Sequence, residues 1–165
     1  GNSKRNCYAI DCCRPVEMPE QDLIINPYVL GMWLGDGSSI MNHISVHEDD
    51  REVADHLCTC GVEAEFRLPS WRYGKIANIV IDPTFRTRAD TGAPASAAPL
   101  TVIARLRMLD VLGNKHVPHQ YMRASRAPRI ELVRGFMDLD GSIVTCGKRL
   151  QFSNSNPKLI ESFVE

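Results

Sequence analysis

Two acidic residues occupy equivalent positions in two similar stretches of the chain. Asp36 and Asp140 each end an apolar stretch and precede a glycine, and another glycine lies five residues before each acid, at Gly31 and Gly135. Each stretch predicts a helix with an apolar body, a glycine on that body and a carboxylate at its C-terminal end. Because glycine has no side chain, two such helices can approach closely and bring the acids together at a shared end.

Two carboxylates in this place are unfavourable for folding alone. Each faces the negative end of a helix dipole, and the two repel each other. A divalent cation between them relieves both penalties, and carboxylate oxygens suit a hard cation such as Mg²⁺. The paired acids, the repeat and a basic middle region together predict metal-assisted hydrolysis of a phosphodiester. The alternative is that each Asp-Gly pair only forms a turn.

The elements that would position these acids recur along the chain. Asn26-Pro27 and Asn156-Pro157 are both typical helix starts, with asparagine as the cap and proline at the first helical position. The predicted order is helix, strands, helix, strands and helix, followed by a second helix and strands. Helices are predicted from residue 27 to the glycine-rich turn at 35–38, at 48–60, 100–112 and 128–138, and from residue 157; strands are predicted at 39–47, 62–68, 75–81, 143–146 and 148–152.

Composition places the 165-residue chain among ordinary globular proteins, with 44% hydrophobic and 24% charged residues. Its longest apolar runs are far shorter than the roughly 18 residues that a membrane span needs, and no secretory leader is recognisable. The net charge is −1, but residues 11–63 are strongly acidic and residues 64–134 are basic, so a local positive face can still meet phosphate. The spacing of the six cysteines is not typical of a disulfide framework, and reduced thiols in an intracellular protein are expected.

Other residues that could do chemistry have simpler interpretations. The histidines and cysteines lack zinc-ligand spacing, and Gly113-Asn-Lys lacks the earlier glycine and the following Ser or Thr of a phosphate loop. Lys115, taken alone, is an ordinary surface lysine. Asp138 is interpreted as structural, because Leu34 stands at its place in the first stretch. Trp33 lies in the predicted helix and is interpreted as a core residue.

Both stretches resemble the LAGLIDADG (dodecapeptide) motif of homing endonucleases, above all of the endonuclease domains inserted in inteins. Residues 26–37, NPYVLGMWLGDG, are similar to the first copy of the motif, and residues 132–142, LVRGFMDLDGS, to the second. Asn114-Lys-His-Val-Pro118 is similar to the lysine block that lies between the motifs. The resemblance covers residues 26–165, and two copies in register with a lysine block are a specific signal.

The resemblance implies an α+β fold, the LAGLIDADG saddle, built from αββαββα repeats about a pseudo-twofold axis. The two motif helices pack on that axis through Gly31 and Gly135, and each repeat adds a curved antiparallel sheet. The sheets line a groove for double-stranded DNA, where side chains read base edges and basic residues hold phosphates. The implied activity is a site-specific double-strand cut by hydrolysis that depends on Mg²⁺ or Mn²⁺.

The resemblance also assigns roles to particular residues. Asp36 and Asp140 would bind metal together with the backbone carbonyls of Gly35 and Leu139, and Lys115 would position the attacking water or stabilise charge on the phosphate. The residues expected to contact DNA are Arg67, Arg72, Tyr73, Lys75, Arg86, Arg88, Arg123 and Arg126.

Three segments are expected: 1–25 as a tether from an intein splicing domain in the parent chain, 26–125 as the first repeat with the lysine block, and 126–165 as the start of an incomplete second repeat. A second catalytic lysine and the splicing ends are absent from the sequence. The chain is therefore interpreted as a fragment, as one partner of a second chain that completes the repeat, or as a decayed enzyme that only binds DNA or supports the intein fold. No membrane partner is expected, and the compartment would be a prokaryotic cytoplasm or a eukaryotic nucleus.

Overall fold

The computed structural model describes residues 14–68, 74–82, 100–144 and 149–164. In these residues, six helices and two small antiparallel sheets form an α+β protein. The elements are α1 (Pro27–Asp36), β1 (His43–His47), α2 (Glu52–Thr59), β2 (Ala64–Arg67), β3 (Ile76–Ile81), α3 (Val102–Met108), α4 (His119–Met122), α5 (Arg126–Asp140), β4 (Gly141–Val144), β5 (Arg149–Phe152) and α6 (Pro157–Val164). Within the described ranges, no helix is both long and apolar enough to cross a membrane.

Helix α1 is the centre of the core. Asn26 starts it by accepting hydrogen bonds from the backbone N–H groups of Tyr28 (2.9 Å) and Val29 (3.4 Å), with Pro27 at the first helical position, as predicted. Every residue from 28 to 34 is buried. A helix that is apolar all round must be covered on several sides, and α5 and β1 are among the elements that cover it.

Helices α1 and α5 are in direct backbone contact at two glycines. A Cβ on Gly31 would overlap the carbonyl oxygen of Leu132, and a Cβ on Gly135 would overlap that of Tyr28. These contacts are reciprocal, because Leu132 precedes Gly135 by the same three residues that separate Tyr28 from Gly31. The helix pair therefore has local twofold symmetry at the contact, and only residues without a side chain fit there.

The first sheet has three antiparallel strands in the order β1-β3-β2. Along β1, Ile44 and Val46 are buried, and along β3 the buried residues are Ala77, Ile79 and Ile81. This alternation turns one face of the sheet toward the core and leaves the other face outside it.

The second sheet is the hairpin β4–β5, which begins where α5 ends. Gly141 pairs there with Phe152, and after α1 Gly37 forms an isolated antiparallel bridge with Ile44. Each motif helix thus leads directly into an antiparallel pair. In the described residues only one regular strand lies between α1 and α2, which departs from the predicted order αββαββα because the first strand is reduced to that bridge.

An aromatic cluster fixes the second sheet on the helices. Phe152 of β5 contacts Phe136 of α5 edge to face, with ring centroids 5.4 Å apart, and stacks on Phe163 of α6 at 4.3 Å. The fully buried Leu159 adds a second anchor for α6. The cluster consequently holds α6 against α5 and the second sheet.

Some boundaries differ from the prediction. Residues 48–51 form a turn, so α2 begins at Glu52. Helix α5 begins at Arg126, two residues before Pro128, because proline is tolerated within the first helical turn. The short helix α4 was not predicted, since four residues are too few to show a helical period. Residues 1–13, 69–73, 83–99 and 145–148, which include parts of the predicted tether and of the predicted strands at 143–146 and 148–152, lie outside the described ranges.

Candidate active site

The two motif helices end in the same way. The backbone N–H of Gly37 and that of Gly141 each bond to the carbonyl four residues earlier, and both glycines have an extended conformation, with ψ of 152° and 153°. A Cβ on either glycine would overlap that same carbonyl oxygen. Both positions therefore require glycine for steric reasons. Because each glycine directly follows the helix, Asp36 and Asp140 lie in the last turn of their helices.

Asp36, Asp140 and Lys115 line one polar cleft of about 500 Å³. The rest of its wall comes mainly from the loop at 113–115 and from the segment 153–156 that leads into α6. A Cβ on Gly35 would lie 3.1 Å from Oδ2 of Asp140, so the last turn of α1 directly faces the acid of α5. The helix contact thus brings the acids of both repeats to one cleft, which is the juxtaposition that their spacing predicts.

The electrostatic state of Asp36 reflects this crowding. Burial is the main cause that raises the pKa of Asp36 above its ordinary value, the charge of Asp140 raises it further, and Lys115 lowers it. The net effect of these three causes is a raised pKa of Asp36. Two carboxylates and one ammonium group therefore share the cleft, and the charge of Lys115 offsets only part of the rise in the pKa of Asp36.

Lys115 is half-buried at the end of α1 rather than free on the surface. Its Nζ donates to the carbonyl oxygen of Gly35 at 3.0 Å and lies 5.2 Å from the ring centroid of Trp33. Desolvation by burial lowers the pKa of Lys115 to about 8, although Asp36 and Asp140 act in the opposite direction. The ammonium group occupies the negative end of the helix dipole, where a cation is stabilised.

Two asparagines that sequence reasoning did not assign to the site complete the cleft. Nδ2 of Asn154 donates to Oδ2 of Asp140 at 2.6 Å, and Nδ2 of Asn156 donates to the backbone carbonyl of Lys115 at 2.8 Å. The sequence marked Asn156 only as a helix cap. Nothing in the pattern around Asn154 signals its contact with Asp140, which depends on the path of the hairpin.

The donors around the cleft fit a hard divalent cation. Two carboxylates border it, and both belong to C-terminal turns with Gly35 and Leu139 as their neighbours. The carbonyl oxygen of Gly35 accepts a hydrogen bond from the ammonium group of Lys115, so a positively charged group already lies at this carbonyl. Within the described ranges no three His, Cys, Asp or Glu side chains gather, so further ligands would be carbonyls, water or substrate oxygens, as is usual for Mg²⁺.

The residues predicted to contact DNA are partly described. Arg67 on β2 and Lys75 before β3 are exposed, and Arg67 forms hydrogen bonds of 3.0 and 3.2 Å with Glu65. Arg123 after α4 and Arg126 at the start of α5 are exposed as well. The predicted contacts that lie outside the described ranges are Arg72, Tyr73, Arg86 and Arg88.

A polar row crosses the face of the first sheet that does not enter the core. Strand pairing places Ser45 opposite Asn78, and Asn78 opposite Arg67. Serine, asparagine and arginine are side chains that hydrogen-bond to base edges in the major groove of DNA. Sequence reasoning identified only Arg67, because the row becomes visible only when the strand register is known.

Asp138 lies in a structural contact between the motif helices. Its carboxylate accepts a hydrogen bond of 2.6 Å from the hydroxyl of Tyr28. Burial raises the pKa of Tyr28 far above its ordinary value, and the hydrogen bond to Asp138 raises it further. The equivalent positions hold Leu132 and Leu34, so this polar contact joins the helices on one side of the local twofold only.

Trp33 is fully buried, as predicted, and its indole N–H donates to the carbonyl of Met41 at 3.1 Å. Within the described ranges, Cys58 and Cys60 are the cysteines present, and both are free thiols.

No model of a known protein family matches the chain. The sequence is similar to a segment of a replicative DNA helicase DnaB from Mycobacterium intracellulare, with 32% identity over 156 residues. The match includes 94% of this chain but 21% of the helicase, so the chain spans about a fifth of the length of the curated relative that it matches.

Proposed function

We propose that this chain belongs to an intein-associated homing endonuclease of the LAGLIDADG type, which makes a site-specific double-strand cut in DNA by metal-dependent hydrolysis. The observation that carries the proposal is the cleft where Asp36, Asp140 and Lys115 meet, at the ends of two helices packed glycine against glycine. Two partly compensated carboxylates beside a desolvated lysine are costly for folding, and they suit phosphodiester hydrolysis.

The local twofold symmetry supports a double-strand cut. The contacts of Gly31 and Gly135 are reciprocal, and Asp36 and Asp140 lie at equivalent distances along their helices. The backbones of duplex DNA are themselves related by approximate twofold axes. Two acids related by such an axis therefore match two phosphodiester bonds, one on each strand.

Each residue has a distinct task in this proposal. Asp36 and Asp140 hold Mg²⁺ or Mn²⁺, which supplies charge for the phosphate and an activated water when bound. Lys115, with a pKa of about 8, is mostly protonated at neutral pH and stabilises charge on the phosphate. The polar row of Ser45, Asn78 and Arg67 reads base edges, while exposed arginines and lysines neutralise phosphates.

The similarity to the helicase supports the proposal through its extent. An intein endonuclease is inserted within a host protein, and a match to 21% of a replicative helicase is what such an insertion would give. The pattern G-x-x-x-x-G-K-[ST] that binds nucleotide phosphates is absent from the 165 residues. The proposal therefore assigns no ATP-driven unwinding to this chain.

Plasmid cleavage by the parent protein tests the proposal. The substrate carries a helicase coding sequence joined directly across the matched segment, as in an allele without the insertion, and the control plasmid lacks this junction. The parent protein with Mg²⁺ is expected to cut the first plasmid once, and EDTA is expected to stop it. Asp36→Asn and Asp140→Asn should each lower the rate at least about 100-fold, a loss of about 2.7 kcal/mol of transition-state stabilisation.

Two results would contradict parts of this proposal. Cutting by either variant at the parental rate would remove Asp36 or Asp140 from the site. If the parent protein cuts no junction DNA but retards it in a gel-shift assay, the chain is a remnant that only binds DNA.

A further inference from the structure

The two acids of the cleft differ in what holds them. Asp140 accepts the 2.6 Å hydrogen bond from Asn154, and the N–H of Ser153 donates to its backbone carbonyl at 3.2 Å. From the described residues, no hydrogen bond reaches the carboxylate of Asp36, whose neighbours act on it through their charges. The end of the hairpin therefore returns to Asp140 and fixes that acid alone.

The orientation of the Asn154 side chain is set by a second bond. Its Oδ1 accepts the backbone N–H of Asn156 at 2.8 Å, which is an Asx-type turn. Because Oδ1 is used as an acceptor, Nδ2 faces the carboxylate of Asp140. The amide is neutral, so it fixes Asp140 without cancelling the charge that a cation needs.

Asn156 makes the matching contact with the lysine loop. Its Oδ1 accepts the backbone N–H of Lys158 at 3.0 Å, which caps α6, and its Nδ2 donates to the carbonyl of Lys115. The ammonium of Lys158 donates to Oδ1 of Asn114 at 2.8 Å and ties the same loop a second time. The start of α6 thus holds the backbone that carries the site lysine.

We propose that Asn154 and Asn156 are positioning residues, and that the turn they form sets Asp140 and Lys115 relative to each other. The contacts form a closed circuit. Hydrogen bonds connect Asp140 to Asn154, Asn154 to Asn156 and Asn156 to Lys115. Lys115 in turn bonds to Gly35 of α1, and the glycine contact between α1 and α5 leads back to the helix of Asp140. A role of this circuit in catalysis rests on the proposed function, whereas the contacts that form the circuit are independent of that function.

Two isosteric substitutions separate positioning from turn formation. Asn154→Asp keeps the acceptor that forms the turn but replaces the donor with a carboxylate that repels Asp140. Asn156→Asp keeps the helix cap, since aspartate is an equally good cap, but cannot donate to the Lys115 carbonyl. Gln151→Glu is the matched control, because it makes the same change of charge at an exposed residue of β5 whose side-chain amide bonds to the hydroxyl of Ser153 (3.5 Å) rather than to either acid.

The primary measurement is heteronuclear NMR of the metal-free 165-residue chain, scored at the far end of the circuit. Asn154→Asp is expected to shift the backbone carbonyl of Lys115, and Asn156→Asp is expected to shift the carboxylate signal of Asp140. Gln151→Glu should leave both in place, and thermal unfolding checks that each variant folds. Unmoved far-end signals in both folded asparagine variants would overturn the inference.

A cleavage assay then adds the functional consequence. In the parent protein, loss of either donor is expected to slow Mg²⁺-dependent cutting about 10- to 100-fold, the usual range for residues that hold a ligand in place. Full cutting by both variants would overturn the positioning role while leaving the proposed function intact. If the parent itself does not cut, the proposed function fails, and the NMR result still decides whether the circuit positions its two ends.

Discussion

At the residue scale, the desolvated lysine is the feature that most separates this cleft from an ordinary surface. Lys115 faces two carboxylates, which favour its charged form, and its pKa is nevertheless lowered to about 8. Burial therefore has the larger effect. A lysine held in this state makes the folded protein sensitive to pH in a range where exposed lysines remain charged.

The sign of this pH dependence follows from proton binding. The ordinary pKa of lysine is 10.5, so between about pH 8 and 10.5 the unfolded chain binds more protons at residue 115 than the folded chain does. Stability contributed by Lys115 should rise with pH in this window. Urea unfolding in EDTA at pH 7.5 and pH 10 measures it: compared with Lys115→Met, the wild-type chain should gain more free energy of unfolding between the two values.

Lys75→Met is the control for that comparison, because Lys75 is exposed. The free energy of unfolding of Lys75→Met should change between the two pH values by the same amount as that of the wild-type chain. Parallel behaviour of the wild-type and Lys115→Met proteins would contradict the lowered pKa.

The sequence was informative for residues whose type and spacing carry the signal. Asp36 and Asp140 could be predicted in this way, because an acid before a glycine at the end of an apolar stretch is a local pattern, whereas Lys115 was assigned only through the resemblance of its block to the lysine block. Asn154 and the partners of Arg67 in the polar row could not be found, because their positions depend on hairpin path and strand register.

At the scale of elements, the glycine contact between α1 and α5 determines the cleft. Gly31→Ala places a methyl group against the backbone carbonyl of Leu132, which cannot move away without separating the helices. Although alanine favours a helix by about 1 kcal/mol, this overpacking is expected to lower the free energy of unfolding by about 1–3 kcal/mol. Chemical denaturation of Gly31→Ala, with Gly135→Ala as its symmetric counterpart, measures the loss.

Gly35→Ala is the informative comparison within the same helix. Its Cβ would lie 3.1 Å from the carboxylate of Asp140, and a side-chain end can move where a backbone carbonyl cannot. We expect a change of less than about 1 kcal/mol in stability together with a strong loss of cleavage. Equal loss of stability in Gly31→Ala and Gly35→Ala would contradict this account of the contact.

Element boundaries show what local signals can predict. The starts of α1 and α6 were predicted from Asn-Pro pairs, whose caps are formed within the next two or three residues. The start of α5 and the whole of α4 were not, because the first contains a proline inside its opening turn and the second is a single turn. Such elements depend on tertiary packing more than on propensity.

At the scale of the whole molecule, the two halves share their helix ends but differ in their sheets. The paired helices were predicted from the repeat and the α+β class from the resemblance, whereas the saddle and its DNA groove remain predictions. In the first half β1 pairs with β3 and buries one face, while in the described residues of the second half β5 pairs with β4 alone. The hairpin consequently exposes Ile143 (71%) and Leu150 (72%), which are directly opposite each other.

This exposed pair predicts self-association of the isolated chain. Two adjacent apolar side chains beside an open strand edge favour pairing with another molecule. Ile143→Thr combined with Leu150→Thr is expected to shift the protein toward monomer in sedimentation velocity at rising concentration, with little change in the thermal midpoint. Ile40→Thr is the matched control, because Ile40 is equally exposed (72%) but lies in a loop without a sheet edge. If the loop variant reduces association as much as the hairpin variant, general surface hydrophobicity rather than the open sheet is the cause.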